Sequence, residues 1–272
     1  MKKTHNHFWT FLVFGLLALS AKIARADSPS APASPTPPSY EKIEMPVGHV
    51  FIAPQGFDDN DNIEFVIDGV FPNGCYQVAS DSTQVDAANK HVITHLFANH
   101  RTDGPCGNAA ATLPASLLAA VPYTLEVSVG QLPAGMWQIT YSRPNLPDGV
   151  RPFQVDRAKV ASIDDVPYAA ISSVWIPDSV RGDLPVTAEL IGSLTSSCSF
   201  LQPEVLVNQI DDVFVVRQSL GFKANVLCSL VMLPFQKTIQ LGTPGAGRFL
   251  IHARSMNGRA VNRVFSGITL DP

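Results

Sequence analysis

VPYTLEVSVGQLPAG (121–135) and LPFQKTIQLGTPGAG (233–247) are two versions of one phrase. In the first, Tyr123, Leu125, Val127 and Val129 alternate with Thr124, Glu126 and Ser128, the period-two pattern of a strand with one face in a core. In the second, Phe235, Ile239 and Leu241 take the places of Tyr123, Val127 and Val129. Lys237 falls where Leu125 stood, so the strand is expected to open to water there. Each phrase ends in a turn with the Gly and Pro of a tight connection. MWQITY (136–141) and Phe249 with Ile251 continue as the second strand of an antiparallel hairpin.

Working outward, five landmarks recur in order. Gly69, Cys75, Cys106, Pro122 and Gly130 return as Gly192, Cys198, Cys228, Pro234 and Gly242. VFIAP (50–54) is echoed by VWIP (174–177). A repeat at this spacing means one structural unit present twice. IEFVID (63–68) reads as a half-buried strand with Ile63, Phe65 and Ile67 on one face. EVLVN, DVFVV and NVLCSLVM, within 204–232, supply further strands. Short strands separated by turn signals, with no sustained helical period, predict an all-β fold of two tandem β-sandwiches.

The expected layout is a signal peptide over 1–26, a Pro-rich disordered tether over 27–46, module one over 47–155, a connector over 156–170 and module two over 171–272. Lys2 and Lys3, the apolar run 8–20 and Ala24-Arg25-Ala26 carry the leader reading, with cleavage after Ala26. The apolar run is about half the ~20 residues of a spanning helix, no Cys follows it for a lipid anchor, and no later segment is long and apolar enough to span. The protein is therefore expected in the periplasm or outside the cell. DSPSAPASPTPPS (27–39) lacks periodicity and reads as an extended tether.

The chain has 19 Lys and Arg against 23 Asp and Glu. The leader holds Lys2, Lys3, Lys22 and Arg25 and no acid, which leaves 15 basic residues, a net charge of −8 after cleavage. That balance opposes binding to a phosphate backbone. The four cysteines fall two per repeat, 31 and 30 residues apart. Four cysteines permit three pairings, and the repeat selects Cys75–Cys106 and Cys198–Cys228. Each bridge closes a loop worth about 3.5 kcal/mol in the chain-entropy model.

The copies differ at three places, all in module one. HVITH (91–95), with His100 nearby, places two imidazoles four apart, on one face of a helix or a strand, so His91 and His95 are candidate metal ligands. As a strand it sets Val92 and Thr94 on one side and His91, Ile93 and His95 on the other. DDNDN (58–62) offers Asp58, Asn60 and Asp61 as closely spaced oxygen donors of the kind calcium takes, and Asn and Asp are also ordinary turn residues. About ten extra residues within 107–120 could begin a short helix and make a partner contact. Arg181-Gly182-Asp183 spells an integrin-type tripeptide in the loop equivalent to DDNDN. No GxSxG and no phosphate-binding GxxxxGK[ST] occurs, and GTPGAG (242–247) reads as a turn shared with module one.

With the repeat laid out, FPNGCY (71–76), the second Cys, VPY or LPF and then VG- or LG-xxxAG resemble secreted bacterial immunoglobulin-like modules with one internal disulfide. Such modules generally serve as binding or spacer units, which implies a non-catalytic binding or scaffold protein with no cofactor, contacting a protein or an envelope glycan. SLTSSC (193–198) departs from FPNGCY. ITYSRPNLP (139–147) is similar to the strand-end pattern of periplasmic pilus chaperones, whose two domains are not repeats of each other. The alternatives are such a chaperone, or a zinc- or calcium-dependent protein using module one.

Overall fold

The computed structural model describes residues 37–53, 56–107 and 113–269. The leader, the tether up to residue 36 and the centre of the 107–120 segment lie outside the described residues. Module one consists of β1 (Tyr40–Glu44), β2 (His49–Phe51), β3 (Phe57–Asp58), β4 (Ile63–Phe71), β5 (Tyr76–Asp86), β6 (His91–Arg101), the short helices α1 (Gly104–Gly107) and α2 (Ala115–Leu118), β7 (Val121–Gly130), β8 (Gly135–Tyr141) and β9 (Gly149–Asp156). Module two consists of β10 (Ala170–Trp175), β11 (Ser179–Arg181), β12 (Val186–Ser196), β13 (Ser199–Ile210), β14 (Val213–Phe222), β15 (Leu230–Gly242), β16 (Gly247–Ser255) and β17 (Arg259–Ile268).

The fold is all-β, and β2 to β9 of module one each have a topological counterpart in module two, while β1 and the two short helices do not. In module one, β2-β4-β7 form one sheet and β5-β6-β8-β9-β3 the other; in module two these become β10-β12-β15 and β13-β14-β16-β17-β11. β6 runs parallel to β8, and β14 parallel to β16. These parallel pairs depart from the antiparallel sheets of immunoglobulin constant domains: in each module the second strand of a hairpin lies beside β8 or β16. Residues 40–44, expected within the tether, instead form β1, antiparallel to Phe97–Arg101 of β6. The same edge of β14 carries only a single bridge, Tyr168 to Ser219.

The repeated landmarks have physical causes. Gly69 lies opposite Tyr123, and Gly192 opposite Phe235. In each pair the aromatic ring lies across the glycine, occupying the space a Cβ would fill. Tyr123 also donates its hydroxyl to the Pro46 carbonyl. Gly130 and Gly135 have φ of 84° and 146°, and Gly242 and Gly247 have 81° and 147°. The two hairpin turns thus share one backbone path that L side chains resist, which places GTPGAG among turns. Pro122 and Pro234 lie on β7 and β15, the edge strands of their sheets. A residue without an N–H is tolerated on an edge and weakens it as a template for further strands.

Both expected bridges are present, Cys75–Cys106 and Cys198–Cys228. Some expected details differ. NVLCSLVM is a strand only from Leu230 onward. The Lys237 ammonium does not simply face water: it donates to the Gln202 and Pro203 carbonyls at 2.9 Å each, across an irregularity in β13. Burial pushes that ammonium's pKa down. IEFVID buries Ile63, Phe65 and Ile67 as predicted, but Val66 and Asp68 on the opposite face are buried too. The outer face of β2-β4-β7 is covered by module two.

Candidate functional site

The cover is a face-to-face contact between sandwiches. Phe51 and Val66 share one continuous core with Val213, Val215, Leu250 and Val264 of module two. Residues 38 onward therefore form a single compact unit. Around this apolar centre runs a ring of paired charges.

On one side sits the DDNDN loop. The Asp61 carboxylate receives both terminal nitrogens of Arg254, one at 3.0 Å, and Arg254 also donates to the Gly56 carbonyl at 3.1 Å. The two side chains are 4% and 7% exposed. Burial disfavours the Arg254 charge, but Asp61 outweighs it and raises the guanidinium's pKa. Arg254 also lies 5.5 Å over the Tyr168 ring. Asp59 accepts the Ala158 amide at 2.9 Å, and Asn60 donates its side-chain amide to the Val160 and Ser162 carbonyls. The loop thus holds the connector and module two together. At the connector's other end Asp164 accepts the Asn257 and Gly258 amides.

This use of the loop bears on the calcium expectation. Asp61 is committed to a guanidinium, and Asn60 donates its N–H groups while its buried Oδ1 has no hydrogen-bond partner. Burial, with the neighbouring Asp61 and Asp165, raises the Asp58 pKa, although a hydrogen bond from the Asn60 amide acts against it. Asp58, Asn60 and Asp61 thus come together in a loop whose Asp59, Asn60 and Asp61 side chains bond the connector and module two. His91 and His95 lie on the outer face of β6. A four-residue step on a strand is about 13 Å, so the two do not form a ligand pair. His91 bonds the Thr140 hydroxyl at 2.7 Å and His95 is exposed, while His100 stacks on Tyr76 at 4.6 Å. Among the described residues no group of three His, Cys, Asp or Glu is arranged to hold a metal ion. Arg181 and Asp183 of the integrin-type tripeptide pair with each other.

In the middle of the interface, His252 stands edge-on to Phe57 and bonds Asn262 at 3.0 Å. Burial pushes its pKa down to about 4. Asn262 donates to Glu64 at 2.7 Å and to Glu126 at 3.0 Å. Nearby, Arg248 forks onto Asp68 at 2.7 and 2.9 Å. Arg151 and His49 converge on Asp212. Burial alone would raise the Asp212 pKa, but the hydrogen bonds from His49 and Arg151 and the Arg151 charge hold it below the usual range.

Beside the Arg248–Asp68 fork the two modules leave a cleft of about 480 Å³. Tyr123 and Thr124 line its module-one wall; Ser179, Arg248 and Arg263 line the other. Arg263 pairs with Asp178 at 2.6 Å. Two guanidinium groups, each with its carboxylate, give the cleft a dense set of hydrogen-bonding groups and little net charge. The cleft is a concave polar site at the junction of the two modules.

The pairs of this interface were missed from sequence, and the repeat carried a signal for them. Strand register equates His252 with Thr140 and Arg254 with Ser142, so these are polar positions where one copy gains an imidazole and a guanidinium. The two modules also use non-equivalent faces. Module two lays its β14-β16-β17 face on the β2-β4-β7 face of module one. On the corresponding uncovered faces, Val213, Val215 and Leu250 are replaced by His91, Ile93 and Gln138, and Val66 by Glu189. The histidine pair and its neighbours thus occupy the solvated counterpart of a buried surface.

No protein-family model, no curated protein and no solved structure matches this chain. Among the described residues no helix is long and apolar enough to cross a membrane.

Proposed function

We propose that the chain is an exported, non-catalytic binding or scaffold protein of the periplasm or cell surface, built from two immunoglobulin-like modules, and that it engages a protein or envelope glycan through the cleft at their junction. The observation that supports this reading is the fixed placement of Arg248 and Arg263, with Asp68 and Asp178, opposite Tyr123 and Thr124 around one cleft. Strands hold Asp68, Arg248 and Arg263, and Asp178 lies in the loop before β11, so little ordering entropy is lost on binding at the Arg248–Asp68 side. Alternating donors and acceptors of balanced charge suit an uncharged polyhydroxyl chain, which makes an envelope glycan the favoured ligand class. The leader sequence and two disulfides support an oxidising compartment.

The test is binding of fractionated envelope glycan and envelope protein to the immobilised chain, repeated with Arg263→Ala and Thr124→Ala. The expected result is binding of the glycan fraction, weakened at least tenfold in the double variant. Binding of neither fraction, or binding unaffected by both substitutions, overturns the reading.

A further inference from the structure

The distal end of module two exposes a cluster of apolar side chains. The Cys198–Cys228 bridge and the Ser197–Ser229 hydrogen bonds hold the segment between β14 and β15 against the end of β12. Leu227 and Leu230, on either side of Cys228, are 102% and 94% exposed, and Phe222, Val226 and Met232 are more than half exposed. The equivalent end of module one carries extra residues. There α2 lies over the turn before Cys75, with the Leu117 carbonyl accepting the Gly74 amide at 2.9 Å. Module two has one residue, Ser229, between its second cysteine and β15, and nothing in the described chain replaces that cover.

We infer that this end of module two is a self-association surface, covered in solution by the same surface of a second copy of the chain. Two observations select that occupant. First, these side chains together expose on the order of several hundred Å² of apolar surface, a large part of the ~800 Å² per partner that a standard-size interface buries, and isolated soluble proteins rarely expose contiguous apolar patches of more than a few hundred Å². Second, Lys223 is the only charged residue from Ser199 to Met232 beside the bridge on this tip, since Glu204, Asp211, Asp212 and Arg217 lie farther along β13 and β14. A two-fold contact therefore opposes few like charges, and the tip lacks the basic cluster that would draw it to an anionic lipid surface. Pro234 limits edge-to-edge strand pairing along β15, so the contact is made by side chains. The disulfide pre-orders the tip and lowers the cost of association.

Sedimentation velocity of the purified chain over a hundredfold concentration range tests the inference, alongside Leu227→Asp, Leu230→Asp, the double variant, and Met136→Asp as an exposed apolar control on module one. The expected result is a reversible monomer–dimer equilibrium, weakened at least tenfold by each tip substitution and unchanged in the control. Concentration-dependent hydrogen-exchange protection of residues 222–233 in the unaltered chain gives the same answer without a variant. A monomer at every concentration, a dimer indifferent to both tip substitutions, or a tip that gains protection only on phosphatidylcholine vesicles overturns it.

Discussion

Asp61, in a surface-type turn of module one, is the buried counter-ion of Arg254 in β16 of module two, across 193 residues of sequence. This pair explains why DDNDN departs from its counterpart in the repeat. Breaking a buried pair from one side strands the other charge, at a cost of about 3–5 kcal/mol. Arg254→Ala and Asp61→Ala are each expected to lose stability in that range in urea unfolding. The double substitution Asp61→Leu with Arg254→Met is expected to cost less than the sum, because no charge is left buried.

The interface also makes stability depend on pH. His252 is held neutral by burial, with a pKa near 4 in place of 6.5. Between those values the unfolded chain binds the proton and the folded chain does not, so stability falls as pH is lowered from about 6.5 to 4. The loss from this group is about 3 kcal/mol. The Asp212 carboxyl, held low by His49 and Arg151, adds a further loss below about pH 4. Replacing His252 by Gln is expected to flatten the slope between pH 6.5 and 4, measured as the shift of urea midpoint with pH.

The strands and both bridges were legible because each leaves a local mark: a period of two, a turn glycine or a cysteine count. What covers an outer face leaves no such mark. Val66 and Phe51 sit at positions that alternation assigns to solvent, and only a second sandwich buries them. β1 (YEKIE) is short and charged, as edge strands are, and nothing local shows which edge it joins. The parallel pairing of β6 with β8 joins strands distant in sequence, so no turn signal records it. Arg254 stands in the apolar run FLIHARS, and a buried charge in such a run was the available clue to a partner elsewhere.

Gly192 and Gly69 test the repeat at its most local. A Cβ on Gly192 would run into the Phe235 ring and the Ala170 carbonyl, and on Gly69 into the Tyr123 ring. Gly192→Ala and Gly69→Ala are each expected to destabilise by about 1–3 kcal/mol, the range for overpacking a filled site. Thermal melts of the two variants should shift down together.

Peptide mapping without reduction is expected to recover Cys75 linked to Cys106 and Cys198 linked to Cys228. Replacing Cys198 and Cys228 by Ser is expected to lose about 3.5 kcal/mol by chain entropy. A link between cysteines of different modules would break the correspondence between the repeats.

The central structural claim is that a shared core and a ring of charges fuse the two sandwiches into one body. Scanning calorimetry at pH 7 tests it most directly. A single transition is predicted, with the calorimetric enthalpy equal to the van't Hoff enthalpy and with Arg254→Ala lowering its midpoint. Two resolved transitions in the unaltered chain, one per module, would contradict it.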